Sequence, residues 1–280
     1  MKALLIGGTG TISTAVTELA AKSGIDLTLL NRGRTSVEIP ENVRVIRGDI
    51  ENEEAAARAL EGETFDVVAQ FIGFTPEQAM RDIRLFAGKT KQYIYISSAA
   101  AYQKPPSNYL ISESTPLANP YWKYGQDKIA SEAVLMEAYR NTGFPVTIVR
   151  PSHTYGKTRI PVAVLGSRGS WQVIARILQG KPVIVHIATD FLAAAGPKYR
   201  STLLGDKANS LVFDNSKLKR LVPGFSASVR FDQGVGEAIR CVMDYPEYQI
   251  PDPEFDSWCD RVIAVYRRAM EECRSFADGI

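Results

Sequence analysis

Short apolar runs alternate with stretches of helical period along the first two-thirds of the chain. Residues 3–6 read as a strand, and residues 13–22 as a helix with Ala15, Val16, Leu19 and Ala20 on its inner face. Further strands are expected at 27–30, 43–46, 67–72, 93–96 and 146–149, with helices at 53–60, 76–87 and 124–140. The strands are continuously apolar and rich in β-branched residues, the pattern of strands covered on both faces. This alternation predicts parallel βαβ units, and hence a Rossmann-like, doubly wound α/β sheet. Beyond Pro151 the regularity fades. A helix at 170–179 and a strand at 182–185 are expected there, then a mixed stretch at 188–205 that turns near Gly196-Pro197. Residues 255–273 form an amphipathic helix with Trp258, Val262, Val265 and Ala269 facing a core. The expected division is an α/β domain over residues 1–165 and a smaller mixed lobe over 166–280.

Gly7-Gly8-Thr9-Gly10-Thr11-Ile12-Ser13 joins the first strand to the first helix, and that context gives the glycines a meaning. Gly7 permits a tight turn, Gly10 lets the backbone approach a pyrophosphate, and the N–H groups opening the helix face that anion. Gly7, Thr9, Gly10, Thr11 and Ile12 are therefore candidate cofactor contacts. Ser13 occupies the place of a third glycine and implies a slightly wider approach of helix to strand. The end of the second strand carries Asn31-Arg32-Gly33-Arg34 where a carboxylate would accept the ribose hydroxyls of NAD. Two guanidinium groups suit a 2′-phosphate instead, so NADP is favoured over NAD, with Asn31, Arg32 and Arg34 as its contacts. Two solvated arginines in a loop are the plainer alternative.

Tyr124 and Lys128 lie one helical turn apart on one face. A cation beside a phenol favours the phenolate, so Tyr124 can exchange a proton with a hydroxyl or carbonyl while nicotinamide exchanges a hydride. The spacing alone is weak, but it opens the long helix after the fifth strand, which Ser97-Ser98 closes.

Taken in order, Gly7-x-x-Gly10, Asp49-Ile50, Ser97-Ser98-Ala99-Ala100-Ala101-Tyr102, Tyr124-x-x-x-Lys128 and Arg150-Pro151-Ser152-His153-Thr154-Tyr155-Gly156 resemble the extended short-chain dehydrogenase/reductase family, which includes NAD(P)-dependent nucleotide-sugar epimerases and dehydratases. The resemblance runs over residues 1–187 and resumes weakly at 214–223. It implies that Ser98 hydrogen-bonds the reacting oxygen, that Tyr124 is the acid/base, and that Lys128 lowers the tyrosine pKa and holds the nicotinamide ribose. Asp49 and Ile50 would border the adenine. Pro151, Ser152 and His153 would line the nicotinamide, and Tyr102 and Tyr155 the substrate. Each has a structural alternative: Ser98 as a strand-end cap, His153 as a loop hydrogen-bonder, and Tyr102, Tyr155 and Trp122 as packing aromatics. Pairing of two copies through the Tyr/Lys helix is a further implication.

Two departures stand out. Gln70-Phe71-Ile72-Gly73-Phe74 replaces the family's alanine-rich turn beside the cofactor, which Phe71 and Gly73 would now border. After residue 187 an expected strand, and a helix begun by a Val-Asp-Asp-like motif, give way to Asp190-Phe191-Leu192-Ala193, so a substrate-lobe segment is missing or replaced. That leaves open a cofactor-binding regulator without turnover.

Composition trims the remaining classes. A net charge of +2 and the lack of a basic run argue against nucleic acid, although some proteins with this phosphate loop resemble chloroplast stem-loop RNA binders. Three cysteines without Cys-x-x-Cys spacing and only two histidines leave no metal-site or disulfide pattern. The first apolar run is too brief for a signal core, and no stretch approaches a membrane span. The expectation is a cytoplasmic protein with a small-molecule substrate.

Overall fold

Ala3 and Leu5 enter the apolar layer on one side of the first strand, Leu4 and Ile6 the layer on the other, and all four are buried. Both faces of the sheet are therefore covered, as the unbroken apolar runs require. The structure, a computed structural model, describes residues 1–34, 37–156, 159–184 and 187–277.

In chain order the elements are β1 (Lys2–Ile6), α1 (Ser13–Lys22), β2 (Asp26–Asn31), β3 (Arg44–Arg47), α2 (Glu53–Ala59), β4 (Phe65–Gln70), α3 (Pro76–Phe86), β5 (Thr90–Ile96), β6 (Leu110–Ile111), α4 (Lys123–Thr142) and β7 (Val146–Val149). They continue with α5 (Trp171–Leu178), α6 (Thr189–Ala195), α7 (Pro197–Thr202), β8 (Val212–Phe213), α8 (Ser216–Leu221), α9 (Phe231–Asp244) and α10 (Pro253–Ala277). The chain forms two compact units, residues 1–103 with 116–154, and residues 104–115 with 155–280.

The first unit is built on a six-stranded sheet of order β3-β2-β1-β4-β5-β7, every pair parallel. The order reverses between β1 and β4, and open α/β sheets bind ligands outside the strand ends at such a point. The helices start where local chemistry directs. Asn52 caps α2 by accepting the Ala55 N–H, and Thr75 with Gln78 forms a capping box ahead of Pro76 on α3.

The inner face of α1 differs from the expectation. Ser13, Thr17 and Ala21 are buried, whereas Ala15, Val16 and Leu19 are exposed. Small residues win that face because the helix packs close to the turn after β1, where the Thr17 hydroxyl donates to Gly8 O at 2.8 Å.

In the second unit, β6 and β8 form a two-stranded parallel sheet. Val164, Leu192, Leu203, Phe255, Trp258, Cys259 and Val262 make its larger apolar cluster. The buried stripe of α10 ends at Val262, and Val265 is exposed, so the expected core face holds only over the helix's first half. Residues 182–184 form no strand, and Val185 and His186 lie outside the described residues. The mixed stretch is helical, with α6 and α7 meeting at Gly196.

Candidate active site

The loop after β1 turns at Gly7, whose φ of +108° disfavours any side chain; a Cβ there would stand 2.9 Å from Ile72 Cγ2. Ser13 takes up a specific task in this loop. Its buried hydroxyl oxygen accepts the Gly10 N–H at 2.8 Å, so this serine holds the loop from within. No side chain caps α1 at Ile12. The first turn therefore keeps its positive end for a ligand anion. Thr9 donates its N–H back to Gly7 O, and Thr11 is exposed beside it.

At the end of β2, Asn31 Oδ1 accepts the Gly33 N–H at 3.0 Å. Arg32 and Arg34 are both exposed, and Arg32 pairs with Asp49 at 3.8 Å. The neighbouring Ile50 is buried in the sheet's apolar layer.

The turn after β4 brings Gly73 against β5 and α4. Its carbonyl accepts from Lys128 Nζ at 2.6 Å and from the Tyr95 hydroxyl at 3.1 Å. Lys128 Nζ also donates to Ile96 O at 2.7 Å and lies 3.4 Å from the Tyr95 oxygen. All three ammonium hydrogens thus meet protein acceptors. Burial pushes this amine down to about 8, opposed by the charge of Glu132. Phe71 packs in the apolar layer with Leu5 and Leu29.

Tyr124 stands on the first turn of α4. Its ring lies 4.7 Å from Trp122, 6.3 Å from Phe74 and 5.7 Å from Lys128 Nζ. Gly125 makes this placement feasible: a Cβ there would meet Asn119 Nδ2 at 2.7 Å and Ala100 O at 2.8 Å. Asn119 itself donates to Ala100 O and accepts the Trp122 N–H, which locks the start of α4 to the turn at 99–101. Ser98 Oγ accepts the Ala100 N–H at 3.1 Å, a bond that does not use its own proton.

A model of the NAD dependent epimerase/dehydratase family matches residues 3–190. The chain belongs to that family. The match ends close to where the sequence leaves the family pattern. The UDP-glucose 4-epimerase of Lactobacillus helveticus is 27% identical over 168 residues, which are 54% of this chain and 51% of that protein. The chain thus spans about half the length of this curated relative. The Bordetella bronchiseptica enzyme WbmG in complex with NAD superposes with a TM-score of 0.63 at 18% identity, over 90% of this chain and 96% of that one. The UDP-glucose 4-epimerase of Thermotoga maritima with UDP-glucose gives a TM-score of 0.66 at 16% identity, over 87% and 99%. At such identities these likenesses establish the fold.

Around this family's expected site, Arg150 does something the motif does not state. Its guanidinium grips Glu132 through Nε at 2.9 Å and Nη2 at 2.6 Å, and donates to the Tyr102 hydroxyl at 3.2 Å. Tyr102 is buried against Arg150, with the guanidinium 5.0 Å from its ring centroid. Ser97 donates to Glu132 as well, so Ser97, Glu132 and Arg150 brace the end of β5 beneath Ser98. Pro151 O accepts the Ala99 N–H at 2.9 Å, and Ser152 and His153 are exposed beyond it. Tyr155 belongs to the second unit, where its ring meets Phe231 edge-on at 5.7 Å. Sequence reasoning missed Tyr95 and Glu132, and named Gln70 and Phe74 only as members of the altered turn after β4. A signal existed for Tyr95, since a tyrosine in a buried strand needs a partner for its hydroxyl. Among the described residues there is no cluster of metal-ligating side chains, and no helix is long and apolar enough to cross a membrane.

Proposed function

We propose that this chain is a nicotinamide-dependent oxidoreductase or epimerase acting on a hydroxyl or carbonyl of a nucleotide-sugar-like substrate, with Tyr124 as acid/base. The observation that carries this reading is Tyr124 on the first turn of α4, flanked by aromatic rings, with the Lys128 amine 5.7 Å from its ring centroid. Three features fit a dinucleotide: the strained Gly7 turn, the uncapped start of α1, and Arg32 beside Asp49 at the end of β2. A nicotinamide held here would supply hydride transfer at the carbon whose oxygen Tyr124 serves. Tyr124 takes or gives the proton of that oxygen, and Ser98 donates its hydroxyl hydrogen to it. Lys128 acts through its charge, favouring the Tyr124 phenolate. A ribose hydroxyl would compete for the longest of its contacts, the 3.4 Å approach to Tyr95.

NADP remains the favoured form. The end of β2 carries Asn31 instead of a carboxylate, and a 2′-phosphate would replace Asp49 as the partner of Arg32. A cofactor-holding regulator without turnover is the second reading, favoured by the full engagement of Lys128 with protein acceptors. Titration with NADPH and NADH, followed by a nucleotide-sugar screen of the wild type and Tyr124→Phe, separates the two. The enzyme reading expects Tyr124→Phe to bind cofactor normally and lose ~100-fold or more in turnover. Unchanged turnover in Tyr124→Phe would remove the acid/base assignment. Binding of neither nucleotide would remove the whole reading.

A further inference from the structure

Under the 71–74 turn lies a group of polar side chains that the proposed chemistry does not use. Gln70 is the last residue of β4 and is fully buried. Its Oε1 accepts the Ile72 N–H at 2.8 Å, and its Nε2 donates to Asp82 Oδ2 at 2.7 Å. The Tyr93 hydroxyl donates to the same Asp82 oxygen at 2.6 Å, while Arg81 donates twice to the other oxygen, at 2.9 and 2.8 Å.

We infer that Gln70 and Asp82 are positioning residues that act through the 71–74 turn to fix where the Lys128 amine sits. The inference rests on the role proposed above for Lys128. Neither residue is placed to touch a reacting group. The neighbours of Gln70 along β4, Val67, Val68 and Ala69, are apolar, and burying an amide among them is unfavourable unless both its ends are bonded. Here both ends are bonded, one to the turn and one to α3. Asp82 is satisfied on both oxygens, so the group is complete, and complete buried networks hold one geometry.

The same network reaches the turn after β3. Arg81 also pairs with Glu51 at 2.8 Å, and Gln78 donates to Glu51 at 2.8 Å while accepting the Phe74 and Thr75 N–H groups. Glu51 follows Asp49 and Ile50 and donates its N–H to Asp49 Oδ1 at 3.1 Å. The start of α3 therefore clamps two turns at once: the one whose carbonyl holds Lys128, and the one whose Asp49 holds Arg32.

Gln70→Leu keeps the volume and removes both bonds. The readout is the titration midpoint of Lys128, followed by NMR in the full chain carrying 13C-labelled lysine. The amine faces Tyr95, Tyr124 and the charge of Glu132, none of which the substitution alters. A looser turn admits water, so the midpoint rises from about 8 by ~1 unit, with nicotinamide affinity falling about tenfold. Arg84→Ala, also on α3, serves as control: it breaks an exposed pair with Glu53 of α2 and leaves the midpoint in place. Should Gln70→Leu fail to fold, Gln78→Ala loosens the turn from its other side and shifts the midpoint the same way by less. An unmoved midpoint in a folded variant overturns the inference. A moved midpoint with unchanged nicotinamide affinity upholds the positioning and removes the cofactor role of Lys128 instead.

Discussion

Lys128→Met tests the energetics of the candidate site without needing a substrate. The amine is held near 8 in the folded chain, against an ordinary value of 10.5, chiefly by burial. Below about pH 8 the folded and unfolded chains both carry the proton, so the contribution of this group to stability does not change with pH. Between 8 and 10.5 the unfolded chain holds a proton that the folded chain has released, and stability rises with pH by about 1.4 kcal/mol per unit. Over the range from pH 7 to 9.5 this amounts to roughly 2 kcal/mol. Methionine abolishes that slope. It also leaves the Ile96 carbonyl without its amine partner, a cost of about 1–3 kcal/mol that does not vary with pH, while Gly73 O keeps the Tyr95 hydroxyl. Urea unfolding of both proteins at several pH values, at constant salt, gives the difference directly, and other titrating groups cancel. The expected result is a wild-type advantage that grows by roughly 2 kcal/mol as the pH rises to 9.5. A flat difference would show that Lys128 titrates as an ordinary lysine. A falling one would show that its charge is stabilised by folding, and either would refute the reasoning.

Other substitutions probe separate parts of the site. Gly125→Ala puts a carbon 2.8 Å from Ala100 O and should cost about 1–3 kcal/mol in thermal unfolding, with the fluorescence of Trp122 changed as the start of α4 shifts. Arg32→Ala should weaken NADPH binding by about tenfold or more and spare NADH, as measured by nicotinamide fluorescence. Equal loss for both nucleotides would end the case for a 2′-phosphate contact.

The sheet was legible because its inner strands are apolar on both faces and its helices are not. Each strand from β1 to β5 falls within a few residues of its expected place, and the central ones do so because buried runs such as Leu27–Leu30 have no other stable environment. The face of α1 was not legible, because periodicity ranks residues by hydrophobicity, whereas close packing beside the phosphate loop selected Ser13 and Thr17 by size. Val16 and Leu19 are left exposed as a result. Of the candidate site, the common placement of Tyr124 and Lys128 at the start of α4 could be read from spacing and place. Gln70, Asp82 and Glu132 could not, since a polar residue in a sequence reads as surface until its partners are known, and Asp82 lies 12 residues from Gln70 and Glu132 lies 35 from Ser97. The destination of the Lys128 hydrogens was equally hidden, because Gly73 and Ile96 accept through backbone atoms that carry no sequence signature.

The segment 104–115 belongs with the second unit although the first resumes at Pro116. Its strand, Leu110–Ile111, pairs with Val212–Phe213, about 100 residues later. During synthesis at roughly 5–20 residues per second, that strand leaves the ribosome about 5–20 s before its partner exists. The nascent sheet can gather β1 through β5, and then α4 and β7, while this apolar edge stays unpaired. The interval is a window for mispairing.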